Sequence, residues 1–105
     1  MTDSAAVAAV HETSPGLLQL SGVIDYRTGA ALRKHGQALI AASAAQAIVV
    51  DCTGVDKSSS VGVSLLLAYT RDAIAAGKSL QVRALPHDMR QIAQVCGMTG
   101  MLAEA

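Results

Sequence analysis

The run Gln46-Ala-Ile-Val-Val-Asp51 narrows the possible folds more than any other stretch, because it is apolar, β-branched and too short for a core helix. It reads as a central strand covered on both faces, which calls for parallel neighbours and crossover helices. The flanking patterns supply them. Gly29 to Ser43 carries Leu32, Gly36, Leu39, Ile40 and Ser43 on one helical face, introduced by Asp25 and Thr28. Ser60 to about Ala76 repeats helical spacing and stops at Gly77 and Lys78. Upstream, Ala5 to Glu12 and the alternating Leu17 to Val23 form a hairpin across the turn cluster Thr13-Ser-Pro-Gly16. Downstream, Leu80 to Leu85 alternates as a strand. Pro86 then opens a third helix, His87 to Cys96, with Met89, Ile92, Ala93 and Cys96 on one stripe, and Gly97 closes it.

The resulting order is β-β-α-β-α-β-α, without a repeat or linker, so residues 1–105 are expected to form one α/β domain. Its mixed sheet should have right-handed crossovers, with the helices packed on it. The chain is 51% apolar but only 2% aromatic, with no Trp or Phe, so the core must be built from Ala, Val, Leu and Ile. Side chains this small let helices lie close to a sheet and make a poor aromatic ligand cage.

The junction Asp51-Cys-Thr-Gly-Val-Asp-Lys-Ser-Ser-Ser60, expected to be a polar loop, holds the most suggestive chemistry. Three hydroxyls, Ser58 to Ser60, meet a helix start whose backbone N–H groups lack intrahelical partners, so the segment can cap, bind an anion or accept a phosphate. In the helix that follows, about 100° per residue puts Gly62, Leu65, Leu66, Tyr69, Ala73 and Ala76 on a core arc. Val63, Leu67, Thr70 and Ile74 fall on a second arc roughly 120° away, beside Ser60, Ser64 and Arg71. A helix on a sheet does not bury both arcs in one layer, so Val63, Leu67 and Ile74 are expected to meet another polypeptide. The alternative is that a neighbouring helix covers part of this side, most easily Ile74.

Other chemistries find no support. Eight basic and eight acidic residues cancel, and Arg33-Lys34 is the largest basic cluster, so nucleic acid is not an expected partner. No Walker-type Gly-x-x-x-x-Gly-Lys-Ser/Thr loop, Gly-x-Gly-x-x-Gly, Cys-x-x-Cys or His-Glu-x-x-His occurs, so no cofactor, metal site or catalytic residue is expected. His11, His35 and His87 read as solvated surface residues, and Cys52 and Cys96 as small buried apolar ones. No histidine neighbours Ser60 in sequence to activate it as a nucleophile. The start Met-Thr-Asp-Ser has no basic and apolar leader, and no apolar run approaches the ~20 residues of a spanning helix. A cytoplasmic location is expected, with any membrane association made through another protein.

Leu20-Ser-Gly-Val-Ile-Asp25 followed by Thr28, then Asp51-x-Thr53-x-Val55 and Ser60-x-Gly62-Val63, together resemble the two signatures of the STAS domain family. The resemblance spans most of the chain and implies a STAS-type mixed sheet, with Asp25 capping the first helix and Asp51 at a strand end ordering the serine loop. It also implies that Ser60 matches the hydroxyl phosphorylated in sigma-regulatory members, on the surface where family members meet an ATP-binding partner. Ser59 stands where those members usually carry an acidic residue, and Val61 where they carry a small one. The Val61-Gly-Val-Ser-Leu-Leu-Leu67 helix start and Leu85-Pro86 are more similar to accessory STAS subunits of Mla-type phospholipid-transport ABC systems. That likeness implies a non-enzymatic subunit on the transporter's cytoplasmic ATPase, peripheral to the inner membrane, supporting lipid asymmetry of the outer membrane. The helical arcs add Val63, Ser64, Leu67 and Arg71 to Ser60 as expected docking residues, with Ser59 beside them in the serine run. An anti-sigma factor antagonist switched at Ser60 is the alternative.

Overall fold

A computed structural model describes residues 8–97, 100 and 102–104. Strands β1 (Ala9–Ser14) and β2 (Leu17–Ile24) form the expected hairpin, although Ala5 to Val7 of the expected first strand lie outside the described residues. Gly16 makes the turn at φ +81°, where any Cβ would also sit 2.6 Å from the Ala47 carbonyl oxygen. Glycine is therefore required twice over, by backbone and by space. Helix α1 (Gly29–Ala42) leads to β3 (Ala47–Ser58), α2 (Ser60–Ala75) to β4 (Ser79–Arg83), and α3 (His87–Val95) follows. The sheet order is β1-β2-β3-β4, antiparallel between β1 and β2 and parallel elsewhere.

Two expectations about the central strand are corrected. It does not stop at Asp51: its polar second half continues to Ser58, with Gly54, Val55, Lys57 and Ser58 registered against Ser21, Gly22, Val23 and Ile24 of β2. Ladder bonds to a preformed neighbour outweigh the low strand propensity of Asp and Lys there. Nor is β3 covered on both faces. Leu18, Leu20 and Ile24 of β2, Ile48, Val50 and Cys52 of β3, and Leu80 and Val82 of β4 are buried on the helix side, whereas Gln19, Thr53, Gln81 and Arg83 are exposed. Among the described residues the helices occupy one face only.

α1 and α3 flank α2 on either side. Gly36 allows the Tyr69 ring of α2 to lie directly on α1, since a Cβ there would fall 2.3 Å from the ring. Tyr69 is wholly buried and donates its hydroxyl to the Leu32 carbonyl. The outer edge of β4 is paired, Val82 N–H donating to the Ala103 carbonyl at 2.7 Å, and Glu104 meets Arg90 in an ion pair.

Candidate functional site

The parallel pairing of β2 and β3 delivers two helix starts to one end of the sheet. Ser59 N–H donates to the Ile24 carbonyl at 3.1 Å, tying the start of α2 to the end of β2. Ser59 is the N-cap: its backbone is extended, and its hydroxyl accepts from Val61 N–H at 3.1 Å, filling one vacant donor of the first turn. Ser60 is thereby the first helical residue, and it is exposed.

At the α1 start, Thr28 holds the cap position without a side-chain capping bond. The expectation that Asp25 caps α1 is corrected. Its carboxylate instead turns back on Arg27, accepting from the guanidinium at 2.8 Å and from the backbone N–H at 2.9 Å. The Arg27 side chain, then its amide, hold the Asp25 carboxyl below the usual carboxylate range. The Asp25 backbone carbonyl receives Thr28 and Gly29 N–H.

Along α2 the second arc splits. Val63 is only 2% exposed and belongs to the core, so its expected outward position is corrected. Val63 shares that buried cluster with Met89 and Ala93 of α3, the helix that packs against α2, and Met89 reaches Gly62 closely enough that a Cβ there would lie 2.9 Å from it. The alternative of a covering helix is right in kind but at Val63, not at Ile74, which is 67% exposed. Ser60, Ser64, Leu67, Arg71 and Ile74 recur every three or four residues and form the outward stripe. Ser64 and Arg71 are exposed, and Leu67 is half-buried with its inner side on the core.

Residues from α1 that the sequence did not single out complete this surface. Gly29, Ala30, Val61, Leu65 and Ala68 floor a shallow groove of about 330 Å³ between the two helices, with Arg33, Ser64 and Arg71 on its walls. Arg33 is paired with Asp72 of α2. The spacing within each helix gave no signal of this groove, because it arises only when α1 and α2 are set side by side.

Asp51 stands about 20 Å from the serines along the extended β3, so its expected role in ordering them is corrected. Its carboxylate accepts from the Thr53 hydroxyl and from Thr53 N–H at 2.9 Å, and pairs with Arg83 at 3.0 Å on the helix-free face. Thr53, more than Arg83, holds its ionisation below the ordinary range. Cys52 is buried as expected, and burial pushes its thiol up to about 12. Cys96 is exposed, not buried, because α3 ends at Val95 and its last turn faces outward. His11 and His35 are exposed, their rings edge to face at 6.3 Å.

The same fold is found in a chain of the Acinetobacter MlaFEDB complex in an ATP-bound conformation, with TM-score 0.79, 20% identity, and coverage of 92% of this chain and 99% of that one. It is found in the Bacillus anti-sigma factor antagonist SpoIIAA in its unphosphorylated form, with TM-score 0.70, 17% identity, and coverage of 94% and 88%. An anti-sigma factor antagonist from Mycobacterium paratuberculosis gives TM-score 0.70, 24% identity, and coverage of 91% and 81%. No curated protein matches the sequence. No helix among the described residues is long and apolar enough to cross a membrane. A family model described as "Mlab, STAS domain" matches residues 3–103, and the chain belongs to that family of STAS domains.

Proposed function

We propose that the chain, as one STAS domain over residues 1–105, is a non-enzymatic accessory subunit that docks on the ATPase of an Mla-type phospholipid ABC transporter and supports its activity. It acts from the cytoplasmic side of the inner membrane, and its contribution to outer-membrane lipid asymmetry passes through that complex. The observation that carries the reading is the outward stripe of α2: exposed Ser60, Ser64 and Arg71 with half-buried Leu67 between them, ending at exposed Ile74. A stripe that mixes hydroxyls, one cation and aliphatic surface suits a protein interface better than bare solvent. The likeness to a chain of MlaFEDB over nearly its whole length supports the choice of partner. Ser59, Ser60, Ser64, Leu67 and Arg71 are the proposed contact residues. Val63 contributes through the core and not as a contact residue.

The test is copurification with an ABC ATPase. Ser60→Asp should abolish the complex with far-UV circular dichroism and unfolding midpoint close to wild type, and Leu67→Asp should abolish it with the circular dichroism retained at a lower midpoint, since Leu67 packs partly on the core; a normal complex with both changes present refutes the reading. The signalling alternative draws on one specific observation, the exposed hydroxyl of Ser60 in the first turn of α2, where a phosphate would be welcome. It requires phosphate transfer from a kinase-type anti-sigma factor to Ser60, and absence of label at Ser60 refutes it.

A further inference from the structure

We infer that the groove between α1 and α2 takes an acidic segment of the docking partner whose carboxylate is set beside a branched aliphatic side chain, and that Arg71 selects for the acid. The inference rests on the docking reading above and specifies the partner's chemistry. The floor is made of small apolar residues, Gly29 and Ala30 from α1 with Val61, Leu65 and Ala68 from α2, and such a floor receives one aliphatic side chain. The walls carry two guanidinium groups and a hydroxyl but no carboxylate. Asp72, next to Arg71 in the chain, is committed to Arg33 and its side chain is only 10% exposed, and Asp25, whose carbonyl meets Gly29 N–H, is paired with Arg27. Arg71 is exposed and takes part in no ion pair among the described residues.

The first turn of α2 contains no acidic residue, so the positive end of that helix adds to the same field. The chain as a whole has no net charge, so this local excess is a property of the groove and not of bulk composition. A guanidinium with its donors unspent, next to an apolar depression, is complementary to a carboxylate held by two parallel N–H···O bonds. Lysine in its place would supply charge without the fork.

Binding of the purified ABC ATPase from the same organism to the full chain, followed by calorimetry at low and high salt, tests this. Arg71→Glu should weaken binding about thirtyfold or more, Arg71→Lys less, and Ala30→Leu, which fills the groove from an exposed position, should weaken it as well. Wild-type binding should fall with salt, and reversing the facing acid on the ATPase should restore affinity for Arg71→Glu. If wild type binds and neither Arg71→Glu nor Ala30→Leu weakens the complex, the inference is overturned and the docking reading stands. If the chain self-associates and Arg71→Glu disrupts that dimer, the groove belongs to a second copy and the inference is overturned. If wild type does not bind the ATPase, docking and inference fall together.

Discussion

Replacing Gly36 by alanine sets two effects of opposite sign against each other, and the contact with Tyr69 decides between them. Gly36 is interior to α1, where alanine alone would gain about 0.8–1.0 kcal/mol in helix propensity. Its Cβ, however, would sit 2.3 Å from two Tyr69 ring atoms, so the ring must retreat by roughly 1.2–1.7 Å to reach ordinary contact. The ring is wholly buried and its hydroxyl is bonded to the Leu32 carbonyl, so no rotamer escape is open that keeps this bond. Overpacking costs about 1–3 kcal/mol and loss of the bond about 0.5–1.5. The net expectation is a loss of about 1–3 kcal/mol in urea unfolding, or a fall of roughly 5–20 °C in Tm. Tyr69→Leu, which removes the clashing ring, should relieve the defect, so the double variant should be more stable than the sum of the single losses implies. Gly36→Ala as stable as wild type, or strict additivity with Tyr69→Leu, refutes the argument. The outcome bears on the site, because this contact sets the α1–α2 spacing on which the groove depends.

Asp51 is held below its ordinary range in the folded state, so its contribution to stability is present above the unfolded carboxylate value of about 3.9 and is lost as pH falls through the lower folded value. Asp51→Asn should lower stability by about 1 kcal/mol at pH 7, with the gap to wild type closing in acid; Glu12 and Asp25, also depressed, retain the rest of the acid limb. Unfolding curves that keep the same gap at every pH refute this. With a chromogenic disulfide reagent, native protein should show one fast thiol, Cys96, and one that reacts only on unfolding, Cys52. Cys96→Ser should abolish the fast phase, and a fast phase that persists shows that Cys52 is accessible.

Local periodicity carries information about what one element buries, not about what is packed beside it, and the pattern of success and failure follows that division. The helices and the hairpin were legible because Leu32, Gly36 and Ile40, or Leu18 and Leu20, repeat with the period of their own element. The second half of β3 was not, since Val55, Lys57 and Ser58 are extended by pairing with a strand more than thirty residues away. The same holds at the site. Ser59 as a cap, and Ser60, Ser64 and Arg71 as exposed, follow from helix geometry alone. Val63 and Ile74 share an arc on the helical wheel, yet the first is buried in the cluster that includes Met89 of α3 and the second is bare. A helix of sixteen residues packs against one of nine, and the arc is buried at Val63 and open at Ile74. The outward surface of α2 is therefore set as much by the length and placement of α3 as by the sequence of α2 itself. A change that shortened α3 would widen this surface without altering any residue that lines it.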